Sequence, residues 1–556
     1  MKRWSGGILI LSLSAILLLR YSLLPATVPR RPSTVYSSSH LSSVSDPNPL
    51  PNLIWPHLRP LLSRSDSLPS TSSAAREAAS AWTDLAAELP LKLSSLSNVS
   101  TSCPFSAVAF VSGNITSLSI PCGFVEDSAI TIVAIPSGPF YLDLVGSGTR
   151  RLSSSGTTSA SPEATDPPLC IALGRRKLGG WNGKVDELVR CNVHSGESTT
   201  KSKLNSSVAN GRKTMSLSSI NFPFTEGLPF TSTLWAGHEG FHMTVNGRHE
   251  TSLMYKERLE PWSVIGVRVQ GDLEVLSCFA NGLPVAEDLE LVRDVDKLRA
   301  PKLAKHRLFM LIGVISSSNN FARRQALRRS WMQYEVVRSG EVAVRFLVGL
   351  HKNKEVNLEL LKEARTYGDI QLMPFIDYYS LITLKTVALC ILGVKIIPAK
   401  YIMKCDDDAF VRIDEIILGL KKQDANGLLY GLISFESSPE RDKDSKWYIT
   451  NEEWPHDSYP PWAHGPGYII SRDIAKFVAK GHAEGKLQLF KLEDVAMGIW
   501  VQKFKENGGK VNYVNDERFR NAGCESDYVL AHYQGPRNLL CLWEKIQREH
   551  VATCCE

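Results

Sequence analysis

The chain has 556 residues, too many for one ordinary domain, so two or three are expected. Its 43% hydrophobic and 22% charged residues are ordinary for a globular protein and permit a large core. The net charge of +6 is mild at this length and no face-sized basic cluster stands out, so nothing supports nucleic acid as a partner and none is expected.

The N-terminus reads as a targeting segment. Residues 1–5, with Lys2 and Arg3, precede an apolar stretch over residues 6–24. The uninterrupted part, 6–19, is short for a span, but Arg20 can snorkel to the interface and lengthen it toward about 20 residues. A signal peptide cleaved near Pro25-Ala26 is the competing reading. The uncleaved signal-anchor is the expected one, with residues 1–5 cytosolic and the rest in a lumen by the positive-inside rule. Sequons at Asn98, Asn114 and Asn205 agree with a lumen. So do eleven scattered cysteines without a metal-type CxxC pattern. An odd count leaves at least one thiol outside intrachain disulfides, and Cys405, on an apolar strand, is a fair candidate for a free core cysteine.

Residues 25–100 are rich in Ser and Pro, a composition expected to form a stem rather than a compact fold. Within it, 74–93 has helical spacing through Trp82, Leu85, Ala86 and Leu89.

Residues 101–286 change to β patterning. Alternating segments over 129–135, 140–145, 241–245 and 264–269 predict strands, with turn chemistry at Asn246-Gly247 and Gln270-Gly271-Asp272. Several such strands suggest a sandwich. The segments 146–168 and 195–213 read as loops.

Residues 305–556 alternate between strands and helices. The near-continuous apolar run 308–315 reads as a strand covered on both faces, 342–349 as another strand, and 322–334, 358–367 and 380–394 read as helices. This is an α/β layer architecture, with a nucleotide-type site expected at strand C-termini. Strand 401–404 feeds Asp406-Asp407-Asp408. Carboxylates this close repel one another, and a hard cation that bridges to substrate phosphates relieves them.

Several motifs give this region a family. They are residues 323–331 (Arg-Arg-Gln-Ala-Leu-Arg-Arg-Ser-Trp), 346–349, 367–370, 377–381 with Lys385-Thr386, 404–411, 459–468 and 493–498. In their order and spacing they resemble the β1,3-galactosyltransferases of glycosyltransferase family 31. Residues 222–284, with Phe222-Pro223-Phe224, 245–249 and 270–273, resemble the C-terminal half of a galectin domain, and 120–123 and 143–146 resemble the N-terminal part of the plant members that carry one. The galectin signature itself is missing: no His-x-Asn-x-Arg lies between Leu144 and Trp181, and Trp181 is followed by Asn182-Gly183. A galectin fold with impaired galactoside binding is expected, with a spacer role as strong a reading as a lectin.

The resemblance implies a GT-A-like transferase domain behind a galectin-like domain and a transmembrane anchor. It implies a type II Golgi membrane enzyme that moves galactose from UDP-galactose, with inversion, onto terminal N-acetylglucosamine of N-glycans. One alternative is a hydroxyproline O-galactosyltransferase of arabinogalactan proteins, and another is a membrane-anchored lectin with an inactive transferase domain. The implied cation is Mn²⁺ ahead of Mg²⁺. Its ligands would be Asp408, then Asp406 directly or through water or ribose, and His532. Asp407 is assigned to the donor side or to structure. Asp494 is the implied base, with Glu493 as the close alternative. Arg324, Arg328, Asp377 and Lys385 are donor-site expectations, and the arginines could equally clamp their helix to the Asp369 or Asp377 loops. Trp462, His464, Gly465, Gly467 and Tyr468 form the expected acceptor segment, since sugar C–H faces stack on aromatic rings and glycines let a sugar approach closely.

Overall fold

The computed structural model describes residues 51–62, 64, 68–93, 103–112, 115–146, 169–173, 224–255, 260–289, 291–303, 306–443 and 445–555. The expected tail and anchor, the sequons Asn98, Asn114 and Asn205, and Trp181 lie outside these residues. The chain divides into two units, residues 1–46 with 88–98 and residues 47–87 with 99–556. Of the first, only 88–93 are described, as the end of a helix. The second unit contains both the β region and the α/β region.

The β region has nine described strands: β1 Ala107–Val108, β2 Phe110–Ser112, β3 Ile115–Ser119, β4 Ala129–Gly146, β5 Leu169–Leu173, β6 Phe230–Ala236, β7 Gly240–Val245, β8 Arg248–Met254 and β9 Val264–Asn281. Their order is β2-β3-β9-β4-β6-β7-β8, with β1 also on β9 and β5 on β4. Alternate residues, among them Leu118, Ile130, Leu142, Phe241, Met243, Val267 and Val269, fill one core. Two expectations are corrected. Residues 129–135 and 140–145 are one strand, β4, with an irregularity between Pro136 and Phe140. Gln270-Gly271-Asp272 is not a turn, because β9 runs through it. Gly271, at φ +118, faces Phe140 across that irregularity, so the glycine serves a bulge. Asn246-Gly247 does turn β7 into β8, with φ of +50 and +80.

The α/β region is built on a seven-stranded sheet, ordered β12-β11-β10-β13-β16-β15-β17. The strands are β10 Leu308–Ser316, β11 Val342–Leu350, β12 Ile370–Ile376, β13 Ala399–Asp406, β15 Leu428–Ser434, β16 Trp462–Ser471 and β17 Asn512–Asn515. β10 to β13 run parallel, and β16 is antiparallel to β13. Every residue of β11 is buried, in keeping with a sequence that is apolar apart from Arg345. A small sheet, β14 Phe410–Val411, β19 Leu530–Ala531 and β18 Phe519–Arg520, lies just beyond the acid run. The expected helix over 322–334 is shorter, Phe321–Arg329, followed by a 3₁₀ turn. The segment 379–396 is apolar enough to cross a membrane, but it is mostly buried against the sheet as a core helix. Cys405 is a free, buried thiol as expected, and Cys278 and Cys390 join it. Disulfides Cys524–Cys554 and Cys541–Cys555 pin the last helix, Pro536–Glu549.

Part of the expected stem is folded. Helix α1, Trp55–Leu62, and the first turns of α2, Thr71–Leu93, bury Leu58, Leu61, Ala74, Ala78 and Leu85. Leu372 on the edge strand β12 donates its N–H to Pro51 O at 2.7 Å, and Trp55 Nε1 donates to Leu372 O at 2.8 Å. The Ser/Pro-rich average hides this local apolar spacing, which caps an otherwise open sheet edge.

Candidate active site

The site forms where β13 ends. Asp406 lies beside Ile315, the penultimate residue of β10, and the chain turns so that Ala409 N–H meets Asp406 O at 3.3 Å. β14 then pairs with β19 in the register Phe410↔Ala531. That pairing delivers His532 to the acid run, and Gln534 N–H closes on Asp408 O at 2.8 Å. The ligand atoms of Asp406, Asp408 and His532 all lie within 4.8 Å of one another. His532 Nδ1 meets the Asn521 carbonyl at 2.8 Å. A carbonyl only accepts, so Nδ1 carries the proton and Nε2 faces Asp408 Oδ1 at 3.4 Å. Two carboxylates and one oriented imidazole form a donor set that fits a divalent transition-metal ion. Burial opposes ionisation of Asp408, but the neighbouring His532 and Arg323 outweigh it and hold its pKa well below the usual carboxylate range. Asp406 is pushed the other way, by burial first and by Asp408 next, against the pull of Lys404.

Asp407 faces away from this cluster. Asn320 Nδ2 donates to it at 2.9 Å and Arg323 Nη1 at 3.0 Å. It tethers the acid run to the start of the helix Phe321–Arg329, which fits the structural alternative rather than donor contact.

Lys404, two residues before Asp406 and on the same strand face, was not singled out from the sequence. Its ammonium is buried, donates to Asp406 Oδ1 at 2.6 Å and to Gly465 O, and lies 3.4 Å from Glu493 Oε2. It therefore joins the acid–histidine cluster to the second acidic pair. Glu493 and Asp494 open the helix Glu493–Glu506. Glu493 Oε1 accepts from Tyr468 Oη at 2.5 Å and Thr386 Oγ1 at 2.7 Å, so its carboxylate is fully engaged. Asp494 is half-buried, with one oxygen accepting from Val495 N–H at 2.9 Å. Burial first, then the Glu493 charge, raises its pKa from the ordinary 3.8 to about 6.

The expected acceptor segment divides. A Cβ at Gly465 would meet Asp494 Oδ2 at 3.4 Å and Lys404 Nζ at 3.7 Å, so this glycine borders the Asp494 carboxylate. Trp462 lies at 4.6 Å between ring centroids from His464, and its Nε1 donates to Ser437. His464 bonds Ser434 at 3.0 Å and Asn521 at 3.1 Å, and burial lowers its pKa. Gly467 and Tyr468 do not open to a sugar. A Cβ at Gly467 would sit 2.3 Å from Leu530 Cδ1, and Tyr468 is buried with its hydroxyl spent on Glu493.

The four donor-site expectations are corrected toward structure. Arg324 is fully buried on Glu363, at 2.9 and 2.7 Å, and on Ser316, Ser317 and Ser318. Arg328 holds Asp369 bidentately at 2.7 and 2.8 Å and stacks 4.1 Å over Tyr367, the clamp that the sequence left open. Asp377 accepts from Gly349 N–H at 2.9 Å and pairs with buried Lys385, whose Nζ also donates to Ser316 O at 2.9 Å. These groups lock the C-terminal ends of β10 and β11. Burial raises the pKa of Asp377 against the opposing pull of Lys385.

Comparison with known proteins bears directly on this geometry. Residues 322–508 match the family model described as Galactosyltransferase, and residues 116–279 match Galactoside-binding lectin. Beta-1,3-galactosyltransferase GALT1 of Arabidopsis thaliana is 44% identical, over 91% of this chain and 85% of its own length. The chain belongs to the galactosyltransferases of glycosyltransferase family 31. Hydroxyproline O-galactosyltransferase GALT6 of the same plant is 36% identical over 80% of this chain and 72% of its own. Human Beta-1,3-galactosyltransferase 5 is 28% identical over 44% of this chain and 81% of its own. The galactosyltransferase match covers the acid run, Lys404, residues 462–468 and Glu493-Asp494, whereas His532 lies beyond it.

Proposed function

We propose that this galactosyltransferase moves galactose from UDP-galactose, with inversion, to the 3-hydroxyl of a terminal N-acetylglucosamine on N-glycans, as a type II enzyme in the Golgi lumen. The observation that carries the reading is the separation of two acidic centres by one buried lysine. Asp406 and Asp408, with His532, form the cation side. Asp494, beside the Gly465 gap, forms the acceptor side. Inversion needs this arrangement, with a base on the attacking hydroxyl and charge compensation on the leaving diphosphate across from it. The parallel sheet with its acid run at a strand C-terminus supports the GT-A-like reading.

In this scheme Asp494 takes the proton from the acceptor hydroxyl. Its raised pKa keeps it basic enough to assist attack while still ionised near neutral pH. Glu493, fixed by Thr386 and Tyr468, positions the start of the helix and holds Lys404 in place. Gly465 leaves room for the acceptor beside Asp494, and Trp462 and His464 line the same strand. Asp406, Asp408 and His532 would hold Mn²⁺, ahead of Mg²⁺ because imidazole suits the softer ion, and the ion would neutralise the diphosphate charge.

Three hydroxyproline O-galactosyltransferases, 34 to 36% identical, keep peptide hydroxyproline as the second reading of the acceptor. A secreted luminal chain given UDP-galactose and Mn²⁺ would meet a GlcNAc-terminated N-glycan and a hydroxyproline peptide in one tube, with products read by mass spectrometry. One added hexose on the glycan supports the proposal. A hexose on the peptide alone refutes it in favour of the second reading.

A further inference from the structure

The β region does not merely precede the transferase region; it forms a wall of its active site. The loop 120–128 between β3 and β4 lies against the start of the helix Phe321–Arg329. Asn319 Nδ2 donates to Cys122 O at 3.3 Å and to Phe124 O at 3.0 Å, both buried. Gly123 takes φ +74, and a Cβ there would sit 2.2 Å from the Trp262 carbonyl oxygen, so only glycine allows this path. The disulfide Cys103–Cys122 packs with Ala286, Phe321 and Val356 in a small core drawn from both regions.

This loop carries Glu126 to Arg323, which binds its carboxylate through Nη2. The same guanidinium donates to Asp407 at 3.0 Å through Nη1, which also lies 3.5 Å from Asp408 Oδ2. Asp127 N–H donates to Ala236 O at 2.8 Å, tying the loop to the turn after β6. That turn presents His238, whose Nδ1 is 3.8 Å from Glu126 Oε1. The His238 ring lies 4.2 Å from the Tyr533 ring and 6.3 Å from that of His532. Tyr533 is 42% exposed yet held at φ +56, a backbone conformation that bulky residues rarely adopt. Its ring stacks on His532 at 3.7 Å, so whatever fixes Tyr533 also fixes the imidazole.

We propose that Glu126 and His238 are positioning residues of the transferase centre, Glu126 by holding Arg323 Nη2 so that only Nη1 faces Asp408, and His238 by bracing the Tyr533–His532 pair. The β region thereby shapes the divalent-cation and diphosphate end of the site. Without Glu126, the guanidinium has Asp408 as its nearest second carboxylate and competes there with the cation. This inference rests on the reading of Asp406, Asp408 and His532 as the cation site.

The test uses the whole secreted luminal chain. Mn²⁺ binding to the free enzyme is titrated by electron paramagnetic resonance, alongside the Mn²⁺ dependence of transfer and the melting midpoint. Glu126→Gln and His238→Ala should each weaken Mn²⁺ binding by about tenfold or more, with melting near wild type, as expected for residues behind metal ligands. Glu126→Asp should recover most of the loss. Wild-type Mn²⁺ affinity in Glu126→Gln and His238→Ala, with or without a lowered melting midpoint, overturns the inference while Asp408→Asn still abolishes binding. Wild-type binding in Asp408→Asn would instead sink the cation-site reading, and this inference with it.

Discussion

Replacing Asp494 by Asn should trade activity for stability. The raised pKa means that the folded protein holds this proton more tightly than the unfolded chain does. The sign follows: as pH rises from about 4 to 6 the unfolded state ionises first, and the wild type loses stability until the folded carboxyl has also ionised. A shift from 3.8 to about 6 corresponds to about 3 kcal/mol, which solvent reaching this half-buried group trims to about 2. Asn makes no such ionisation. The variant should therefore match wild type near pH 4, gain steadily to pH 6, and stay about 2 kcal/mol more stable above it. As the loss of a general base, the same change should lower kcat/KM by about 10² to 10⁴ and remove the acidic limb near pH 6 from the rate profile. Denaturant melts of both proteins at several pH values, paired with initial rates, measure both effects. A stability difference independent of pH, or a variant keeping more than a tenth of wild-type kcat/KM, refutes the assignment.

Four further substitutions test the framework around the site. Lys404→Met leaves Asp406 and Glu493 facing each other in a buried place and should cost about 3–5 kcal/mol with loss of transfer, read by chemical denaturation; a fold of wild-type stability would contradict the bridging role. Arg328→Lys loses the bidentate hold on Asp369 and should lower the melting midpoint while the KM for UDP-galactose stays unchanged, whereas a raised KM at unchanged stability would restore the donor-site expectation. Gly467→Ala should cost about 1–3 kcal/mol by pressing on Leu530, next but one to His532, whereas Gly465→Ala should fold normally and raise the acceptor KM alone, so equal kinetic effects of the two would undo that distinction.

The acid run was legible because its chemistry is local: three carboxylates after an apolar strand need compensation wherever that strand lies. His532 could be named only through family resemblance, since its approach depends on β14 pairing with β19 across more than a hundred residues. The sequence left the arginines between donor contact and a helix clamp, although it holds a reason to choose the clamp. Phe321, Arg324 and Arg328 fall at i, i+3 and i+7 on one helix face, and a face containing Phe321 turns inward, taking both arginines with it. Arg323 lies off that stripe and reaches the acid run. Strand alternation likewise puts Lys404 and Asp406 on the same side, a signal strong enough to have named the lysine. The helical spacing of 74–93 was legible and is met by Thr71–Leu93, but Trp55–Leu62 was missed because composition averaged over seventy residues dilutes Trp55, Leu58 and Leu61, whose spacing matters only against an open sheet edge.

Neighbouring carboxylates in this chain are separated by what their oxygens can reach rather than by distance. Glu493 has one more methylene than Asp494, enough to meet Tyr468, Thr386 and Lys404 together. Asp494 is shorter and at the first turn of the helix. Among the described residues, the hydrogen bond to its side chain comes from the Val495 backbone N–H. Asp407 is taken by Asn320 and Arg323, which leaves Asp406 and Asp408 to turn toward His532. In each acidic run, one member is engaged by donors that its neighbour does not share. Environments that push adjacent acids apart in this way mark the groups available for chemistry. By that criterion Asp494 and the Asp406–Asp408 pair are the two ends proposed to act on acceptor and donor, and Lys404 lies between them.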